Sequence, residues 1–463
     1  LTRQIPHLLA KSYMIHNPFL RALSPFNWLS ARSDIVVLGY YVGSNVIGAA
    51  RSYSWALWFA GAGKHTVIIS GPFRSISSNN PPFLRHISLP SPLFRVGRLI
   101  NHFLALLVRN LYLSSLLSTG KLGFLSLNFK HSSCKKKSSL PRGSRTGLFS
   151  YRMPCISDLW YPFSLIRLLI LRPSIVVASH SPYVTFLVAY TYKRINPSSK
   201  LVVDYRDMWT LSRVYSGLPG VRRLERSLER LVLESADKIV VVSYGQASSL
   251  SSTISPCVIH NSSNIEIFTT AKSQNSPVIR SSKKKFSLLY AGTLYPAFQD
   301  PEPILKAIYD LHQASLICPK TFSFDILSSQ IHDFTPLVDR YSLSEYVNLS
   351  PLLRREECLL KMQDANCFLL LENSLSESQG VMTSKLYDYL YVGRPILIDG
   401  ISPCSELYCY ASANGYVLGL ESFSDLVCSF YAGDSPSVSS FSQADLSRRS
   451  LLALYDDLLS TFD

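Results

Sequence analysis

Short apolar runs rich in Val and Ile alternate along this chain with stretches of helical periodicity, and this alternation limits the available folds. Strands that are buried on both faces read as continuous apolar segments of this kind. Parallel neighbours require a crossover connection, which is usually a helix, so repeated strand–helix units build a parallel sheet covered by helices. The sequence therefore predicts an α/β fold with parallel sheets.

The predicted elements form two similar groups, separated at residues 271–285 by a polar, Ser/Lys-rich segment that is typical of a linker. The first group has predicted strands at 34–39, 66–70, 174–179, 200–204, 238–243 and 256–260, with helices at 49–60, 183–194 and 221–235. The second group has predicted strands at 286–291, 322–327, 347–350, 367–372, 394–398 and 416–418, with helices at 301–315, 355–364, 381–392 and 422–431. Two parallel-sheet domains that face each other across a cleft fit this arrangement, with ligands beyond the carboxyl ends of the strands.

The predicted domain organisation follows from these groups. Residues 1–33 are expected to be a disordered extension, 34–270 an N-terminal Rossmann-like domain, 271–285 the linker and 286–435 a C-terminal domain. Residues 436–463 contain an amphipathic stretch, which we expect to be a helix that returns to the N-terminal domain.

The charge of the chain is distributed very unevenly. Residues 1–157 contain 19 Lys and Arg but one acid, Asp34, whereas the remainder holds 27 basic and 30 acidic residues. A strong positive field attracts anionic lipid or nucleic acid. No zinc-finger, ribonucleoprotein or helix-turn-helix motif is present, so nucleic acid is not expected to be a partner.

Residues 94–152 combine an apolar helical pattern with a Lys/Arg/Ser-rich segment. Two interpretations are open: a solvated basic loop beside a core helix, or an interfacial segment that docks on an anionic membrane. The apolar stretches 100–117 and 159–171 are interrupted by Arg109 and Arg167, so no membrane-spanning helix is predicted. The scattered cysteines lack any CxxC pair and indicate a reducing compartment. These features predict a cytoplasmic protein that associates peripherally with the inner face of the cell membrane.

The C-terminal half carries two patterns suited to a phosphorylated ligand. A strand runs directly into Gly292 and Thr293, where a backbone without a side chain can approach a diphosphate closely. Further on, Lys385 and Asp388 lie three residues apart near the start of a helix and share one face. They could hold a diphosphate and ribose hydroxyls, or they could be a surface ion pair.

In the N-terminal half, Gly43 and Gly48 follow the first strand and are either part of a ligand loop or an ordinary turn. His180 is predicted to lie in a loop at the cleft, as a catalytic residue or as a structural histidine. Arg206 and Asp207 either form a structural ion pair or bind the acceptor. The sequence has neither the GxGxxG dinucleotide motif nor a DxD metal motif, so no cofactor and no metal are expected.

Several blocks, in order, resemble retaining glycosyltransferases of family 4, which have the GT-B fold. They read SHSP from residue 179, DYRDMW from 204, ESADKIVVVS from 234, HNS from 260, YAGTL from 290 and the block 384–397. The DYRDMW block is similar to that of the branch that builds bacterial polysaccharide and lipopolysaccharide. The resemblance covers about residues 34–430.

The resemblance implies a role for each matched residue. Gly292 and Thr293 would line the donor diphosphate, Lys385 would approach the donor, and Asp388 would hold the ribose. Gly380 stands where the family has the first acid of a paired-Glu motif, with Glu377 three residues earlier.

A glycosyltransferase is the function that this resemblance implies. It would transfer a sugar, with retention and without a metal, from a nucleotide-sugar donor to a glycan or lipid-linked glycan acceptor. Two alternatives remain: a nucleotide-sugar epimerase, and a non-catalytic binding or scaffold protein that kept the fold. Epimerases usually carry N-domain carboxylates, which are almost absent here before Asp158.

Overall fold

The computed structural model describes most of the chain outside residues 1–32 and 92–147. The described residues are 33–44, 49–73, 82–91, 148–149, 152–212, 217–218, 220–250, 252, 254–263, 285–294, 299–351, 353, 355–372, 380, 382–434 and 440–460. The chain divides into two compact units. The first comprises residues 1–240, 252–257 and 458–463, and the second comprises 241–251 and 258–457.

The N-terminal sheet has seven strands in the order β3-β2-β1-β6-β7-β8-β9. Its strands are β1 (Ile35–Leu38), β2 (Thr66–Ser70), β3 (Leu84–Ser88), β6 (Ile175–His180), β7 (Lys200–Tyr205), β8 (Lys238–Val241) and β9 (Cys257–Val258). A separate strand pair is formed by β4 (Leu148–Phe149) and β5 (Arg152–Cys155). The helices are α1 (Ala49–Gly61), α2 (Tyr161–Leu171), α3 (Val184–Ile195) and α4 (Arg222–Ser235), with a 3-10 turn at Ile156–Trp160. The next helix along the chain, α5 (Tyr244–Ser249), belongs to the second unit.

The order of this sheet reverses direction next to β1. Strand β1 pairs in parallel with β2 on one side and with β6 on the other, so the chain builds outward from β1 in both directions. Every residue of β1 and β6 is buried, as expected for central strands covered on both faces. The reversal marks the point where a doubly wound sheet opens a crevice beyond its carboxyl ends.

The second unit contains a six-stranded sheet in the order β12-β11-β10-β13-β14-β15. Its strands are β10 (Phe286–Ala291), β11 (Phe322–Leu327), β12 (Val347–Ser350), β13 (Cys367–Leu371), β14 (Ile396–Asp399) and β15 (Val417–Gly419). The helices are α6 (Glu302–Gln313), α7 (Ile331–Arg340), α8 (Arg355–Asp364), α9 (Ser384–Val392), α10 (Glu406–Asn414), α11 (Phe423–Ala432) and α12 (Ala444–Ser460). Strand pairs in this sheet are parallel, and an apolar cluster covers each of its faces.

The predicted fold class is confirmed, because two parallel-sheet α/β units are present and each predicted strand region contains a strand. Several details differ from the prediction. His180 is the last residue of β6 and is not in a loop, since its side chain is buried with the strand. Strand β8 ends at Val241, because Ser243 instead caps α5 by accepting a hydrogen bond from the Gln246 amide. Helix α9 begins at Ser384, three residues later than predicted.

Some predicted features lie outside the described residues. They include residues 1–32, Gly48, Glu377, most of the linker and most of the basic segment 94–152. Ser33 alone represents the predicted extension, and it is buried next to β1. Among the residues that are described, no helix has the length and apolar character needed to cross a membrane.

Candidate functional site

The polar residues of the second unit gather at the carboxyl ends of β10, β13 and β14, which are neighbours in the sheet. Gly292 follows β10, Glu372 follows β13, and Asp399 is the last residue of β14. Parallel strands end at the same edge, so these three positions share one rim of the sheet. The start of α9 supplies Lys385 to this rim.

Lys385 lies directly against Gly292. A Cβ atom built on Gly292 would be 3.4 Å from both Cε and Nζ of Lys385, which is van der Waals contact, so the end of the lysine side chain packs beside the glycine. The Lys385 ammonium lies 4.8 Å from the ring centroid of Tyr290 and 3.5 Å from its hydroxyl oxygen. Burial lowers the pKa of Lys385, and the negative charge of Glu372 partly offsets this. The two residues that the sequence singled out separately are thus neighbours.

Two carboxylates at this rim were missed by the sequence analysis. Burial raises the pKa of Glu372, while Lys385 and a hydrogen bond from Gln299 act in the opposite direction. Burial, together with the charge of Asp300, raises the pKa of Asp399 to about 6. The signal was present in the sequence, because the apolar strands CFLLL and ILI each run directly into an acid. Carboxylates at this edge are suited to accept hydrogen bonds from sugar or ribose hydroxyls.

Asp388 and Gly380 are both buried. Asp388 lies on α9, one turn beyond Lys385, and is 2% exposed. Gly380 has φ +90°, and its carbonyl oxygen accepts a hydrogen bond of 2.6 Å from the Ser243 hydroxyl. A Cβ atom on Gly380 would be 2.7 Å from the Gly245 carbonyl carbon and the Gln246 amide nitrogen. This position therefore requires glycine for packing against the start of α5.

Replacing Gly380 by Ala is expected to destabilise the protein by about 3 kcal/mol or more. A positive φ costs an L-residue about 1–2 kcal/mol, and here the added methyl group also meets backbone, which cannot rotate away. Thermal or denaturant unfolding measures the effect. Gly433→Ala is the matched control, because Gly433 has φ +92° and a Cβ atom added there would meet no other atom within 4 Å. Equal losses in the two variants would contradict the packing argument.

In the first unit, His180 ends β6 at the point where the sheet order reverses. The His180 side chain is 1% exposed, and its Nδ1 lies 2.7 Å from the carbonyl oxygen of Asp207. A carbonyl only accepts, so Nδ1 carries the hydrogen and Nε2 presents a lone pair. Nε2 is buried and has no hydrogen-bond partner among the described residues. The ring is thus set up as an acceptor for a hydroxyl group.

His180 is expected to make stability depend on pH. Burial lowers the pKa of His180 to about 4, whereas an unfolded histidine titrates near pH ~6.5. The unfolded chain therefore binds more protons between these values, so this contribution to stability is complete above pH ~6.5 and is lost as the pH falls towards 4. Relative to His180→Gln, the unfolding free energy of the wild type should fall by about 2 kcal/mol between pH ~7 and ~4.5.

The measurement is chemical unfolding of both proteins across this pH range. His332→Gln is the control, because the His332 side chain is 75% exposed, and its difference from the wild type should stay nearly constant. A difference between wild type and His180→Gln that does not change with pH would show that the ring is not held neutral.

Arg206 and Asp207 follow β7 and form an ion pair, with 2.8 Å between Nη2 and Oδ2. The Arg206 side chain is 10% exposed and that of Asp207 is 50% exposed, so the carboxylate remains accessible. Gly43, with φ +88°, follows β1 at the same edge of the sheet. The structure thus places His180, Arg206, Asp207 and Gly43 at the carboxyl ends of strands of one sheet.

The segment that contains Arg206 and Asp207 is anchored on both sides by buried charges. Asp204 accepts hydrogen bonds from Nε and Nη2 of Arg51 and from the Ser179 hydroxyl. On the other side, Glu225 accepts from Arg152 and from the Trp209 indole. Arg51 and Arg152 belong to the basic first third of the chain, but these two charges are neutralised inside the fold.

Comparison with known proteins extends the description of the fold. No protein-family model and no curated protein sequence matches the chain. Sucrose-phosphate synthase from Thermosynechococcus elongatus is similar over 93% of this chain and 100% of its own, with 12% identity and a TM-score of 0.54. WaaG, a glycosyltransferase involved in lipopolysaccharide biosynthesis, is similar over 91% of this chain and 95% of its own, with 11% identity and a TM-score of 0.50.

A third solved structure is described as a different class of enzyme. It is a Listeria monocytogenes protein described as a UDP-N-acetylglucosamine 2-epimerase, similar over 93% of this chain and 98% of its own, with 9% identity and a TM-score of 0.52. At such identities these likenesses show a shared fold. The chain therefore has the GT-B fold, and its activity has to be argued from its own residues.

Proposed function

We propose that this chain is a glycosyltransferase that takes a sugar from a nucleotide-sugar donor. The observation that carries the proposal is the contact between Lys385 and Gly292 at the carboxyl ends of the second sheet. A lysine held against a glycine backbone at the end of a strand provides positive charge beside main chain that carries no side chain, and both features suit a diphosphate. The family 4 resemblance of the surrounding blocks supports the same assignment.

The donor diphosphate would lie against Gly292 and Thr293, with Lys385 as its cation. Negative charge grows on the diphosphate as the bond to the sugar breaks, and a preorganised cation stabilises that charge in the transition state. Glu372 and Asp399 are placed to accept hydrogen bonds from hydroxyl groups, alongside the proposed ribose contact of Asp388. Lys385 and backbone amides are proposed to take the part that a metal plays in other transferases.

The acceptor would be bound by the first unit. His180 offers an unpaired Nε2 and Asp207 an accessible carboxylate, and both can accept hydrogen bonds from sugar hydroxyls. We further propose retention of configuration and a lipid-linked glycan acceptor in cell-surface polysaccharide synthesis. The first rests on the family resemblance, and the second on the resemblance together with the basic first third of the chain.

A thermal-shift screen against nucleotides and nucleotide sugars tests the donor site. Binding stabilises the folded protein by about 2.7 kcal/mol at a hundredfold excess over Kd, so one nucleotide class should raise the melting temperature clearly. Transfer or hydrolysis of the identified donor then tests catalysis. Donor binding without any turnover would favour a scaffold protein. Turnover that survives Lys385→Ala combined with Asp388→Ala would refute the proposed site.

An epimerase is the competing enzyme class, since one structure of similar fold is described as such. That chemistry requires acids or bases that are free to exchange protons with the sugar. In the first unit, the half-buried carboxylate of Asp158 and the buried carboxylates of Asp204, Glu225 and Glu229 each accept a hydrogen bond from a protein side chain. We therefore favour transfer, and conversion of a nucleotide sugar to its epimer without an acceptor would overturn this choice.

A further inference from the structure

Helix α4 has a sequence that looks nearly balanced in charge, but the fold separates its charges. It contains four Arg and three Glu in the run RRLERSLERLVLES. Glu225 and Glu229 are both buried. Glu225 accepts a hydrogen bond from Arg152, and Glu229 accepts one from the Tyr205 hydroxyl. Two of the three acids of α4 are thus turned inward and form hydrogen bonds inside the fold.

Arginines occupy the opposite side of the same helix. Arg223, Arg226 and Arg230 are all exposed, and their spacing of three and four residues aligns them along one face. Glu234, which lies 3.8 Å from Arg230, is the single acid of α4 that is exposed. The outer face of α4 therefore carries a row of positive charge that the composition of the helix does not reveal.

Leucines flank this row. Leu224 is 54% exposed and Leu231 is 39% exposed. They lie about two helical turns apart, and each follows an arginine in the sequence. Leu211, which lies in the segment leading towards α4, is 49% exposed. Apolar side chains that lie beside arginines on one exposed helix face suit the interface of an anionic membrane, where headgroups lie above acyl chains.

We propose that the outer face of α4, formed by Arg223, Leu224, Arg226, Arg230 and Leu231, docks on an anionic lipid surface. The arginines would contact lipid phosphates, and the two leucines would enter the boundary between headgroups and acyl chains. An acidic protein partner could also satisfy the arginines, but the flanking leucines favour lipid. The inference deepens the proposed function, because a lipid-linked acceptor lies at such a surface, although its test does not require turnover.

The test is co-sedimentation of the full chain with phosphatidylcholine vesicles that contain roughly 30% phosphatidylserine. The wild type should bind these vesicles, should not bind pure phosphatidylcholine, and should be released by about 0.5 M salt. Each arginine near an anionic leaflet strengthens binding about fivefold, so replacing Arg223, Arg226 and Arg230 by Gln should weaken it about 100-fold. All three side chains are exposed, so the variant should melt as the wild type does.

A control removes the same charge elsewhere, through Arg448→Gln, Arg449→Gln and Lys361→Gln at exposed positions of α12 and α8. This control should bind vesicles within a few-fold of the wild type, because it leaves the arginines and leucines of α4 unchanged. Equal weakening in both triple variants would mean that total charge and not α4 drives binding. If the wild type does not bind anionic vesicles, the proposal is wrong, and an acidic protein becomes the favoured partner for this face of α4.

A second measurement addresses the leucines. In Leu224→Trp, indole fluorescence should shift to shorter wavelength on anionic vesicles and should be quenched by brominated lipids, because the side chain enters the interface. Unchanged fluorescence on bound vesicles would refute the placement of this face. Nucleotide binding should be the same in all these variants, so failure of the docking surface and failure of the donor site can be told apart.

Discussion

Replacing Lys385 by Met is expected to reduce sugar transfer by about 100- to 1,000-fold, as removal of one preorganised group that stabilises developing charge typically does. Met keeps the apolar stem that packs near Tyr290 but removes the ammonium that lies beside Gly292. The affinity for the nucleotide sugar should also fall, but less, because charge on the diphosphate is greatest in the transition state. Steady-state kinetics with the donor identified by thermal shift would measure both quantities.

Lys361→Met is the control for this prediction, because Lys361 is exposed on α8 and is not part of the candidate site. Lys385→Arg separates charge from geometry, because it keeps a positive charge but places a larger, planar guanidinium against Gly292. Its activity should therefore lie between those of Lys385→Met and the wild type. The melting temperature without ligand shows whether Lys385→Met is folded. Full activity in a folded Lys385→Met protein would rule out the proposed catalytic role.

Replacing Arg51 by Met is expected to cost about 3–5 kcal/mol of stability, because it leaves a buried carboxylate without its cation. The Arg51 side chain is 5% exposed and that of Asp204 is 0% exposed, and two nitrogens of Arg51 lie about 3 Å from Oδ1 of Asp204. The Ser179 hydroxyl remains as a donor to Asp204 but carries no charge. Denaturant unfolding would show the loss as a lower midpoint.

Two further variants make the stability prediction specific. Arg51→Met combined with Asp204→Leu should be more stable than Arg51→Met alone, since replacing both partners of a buried pair by apolar groups is often nearly neutral. Arg340→Met breaks the exposed pair with Glu302 and should cost less than about 1 kcal/mol. If the single Arg51 variant were as stable as Arg340→Met, the buried pair would not be the anchor described above.

Much of the fold could be predicted because it depends on local patterns. Buried central strands such as β1 and β10 are continuous apolar runs, and each is recognisable without knowing its neighbours. The elements that escaped prediction have mixed or interrupted patterns. Strand β3 reads LRHIS and is exposed at one end, and α7 contains Pro336, which breaks helical periodicity in a sequence-based analysis.

Helix α2 illustrates a different limit. In the sequence, Arg167 interrupts its apolar stretch and argues against a membrane-spanning helix. In the structure Arg167 is buried, and the helix belongs to the α/β unit. Some candidate site residues, such as Gly292, could be predicted because a suitable residue type directly follows a predicted strand. Side-chain pairs between distant parts of the chain could not be predicted. Arg51 and Asp204, for example, are far apart in sequence, and only the completed sheet brings them together.

The pairing of β1 with β6 has a consequence for synthesis of the chain. Ile35 pairs with Ile175, roughly 140 residues later, so one edge of the first strand has no partner while the ribosome adds the intervening segment. At about 5–20 residues per second this interval is on the order of 10 s. A nascent apolar edge exposed for that long invites aggregation, and chaperone supply should therefore govern the recombinant yield of this protein.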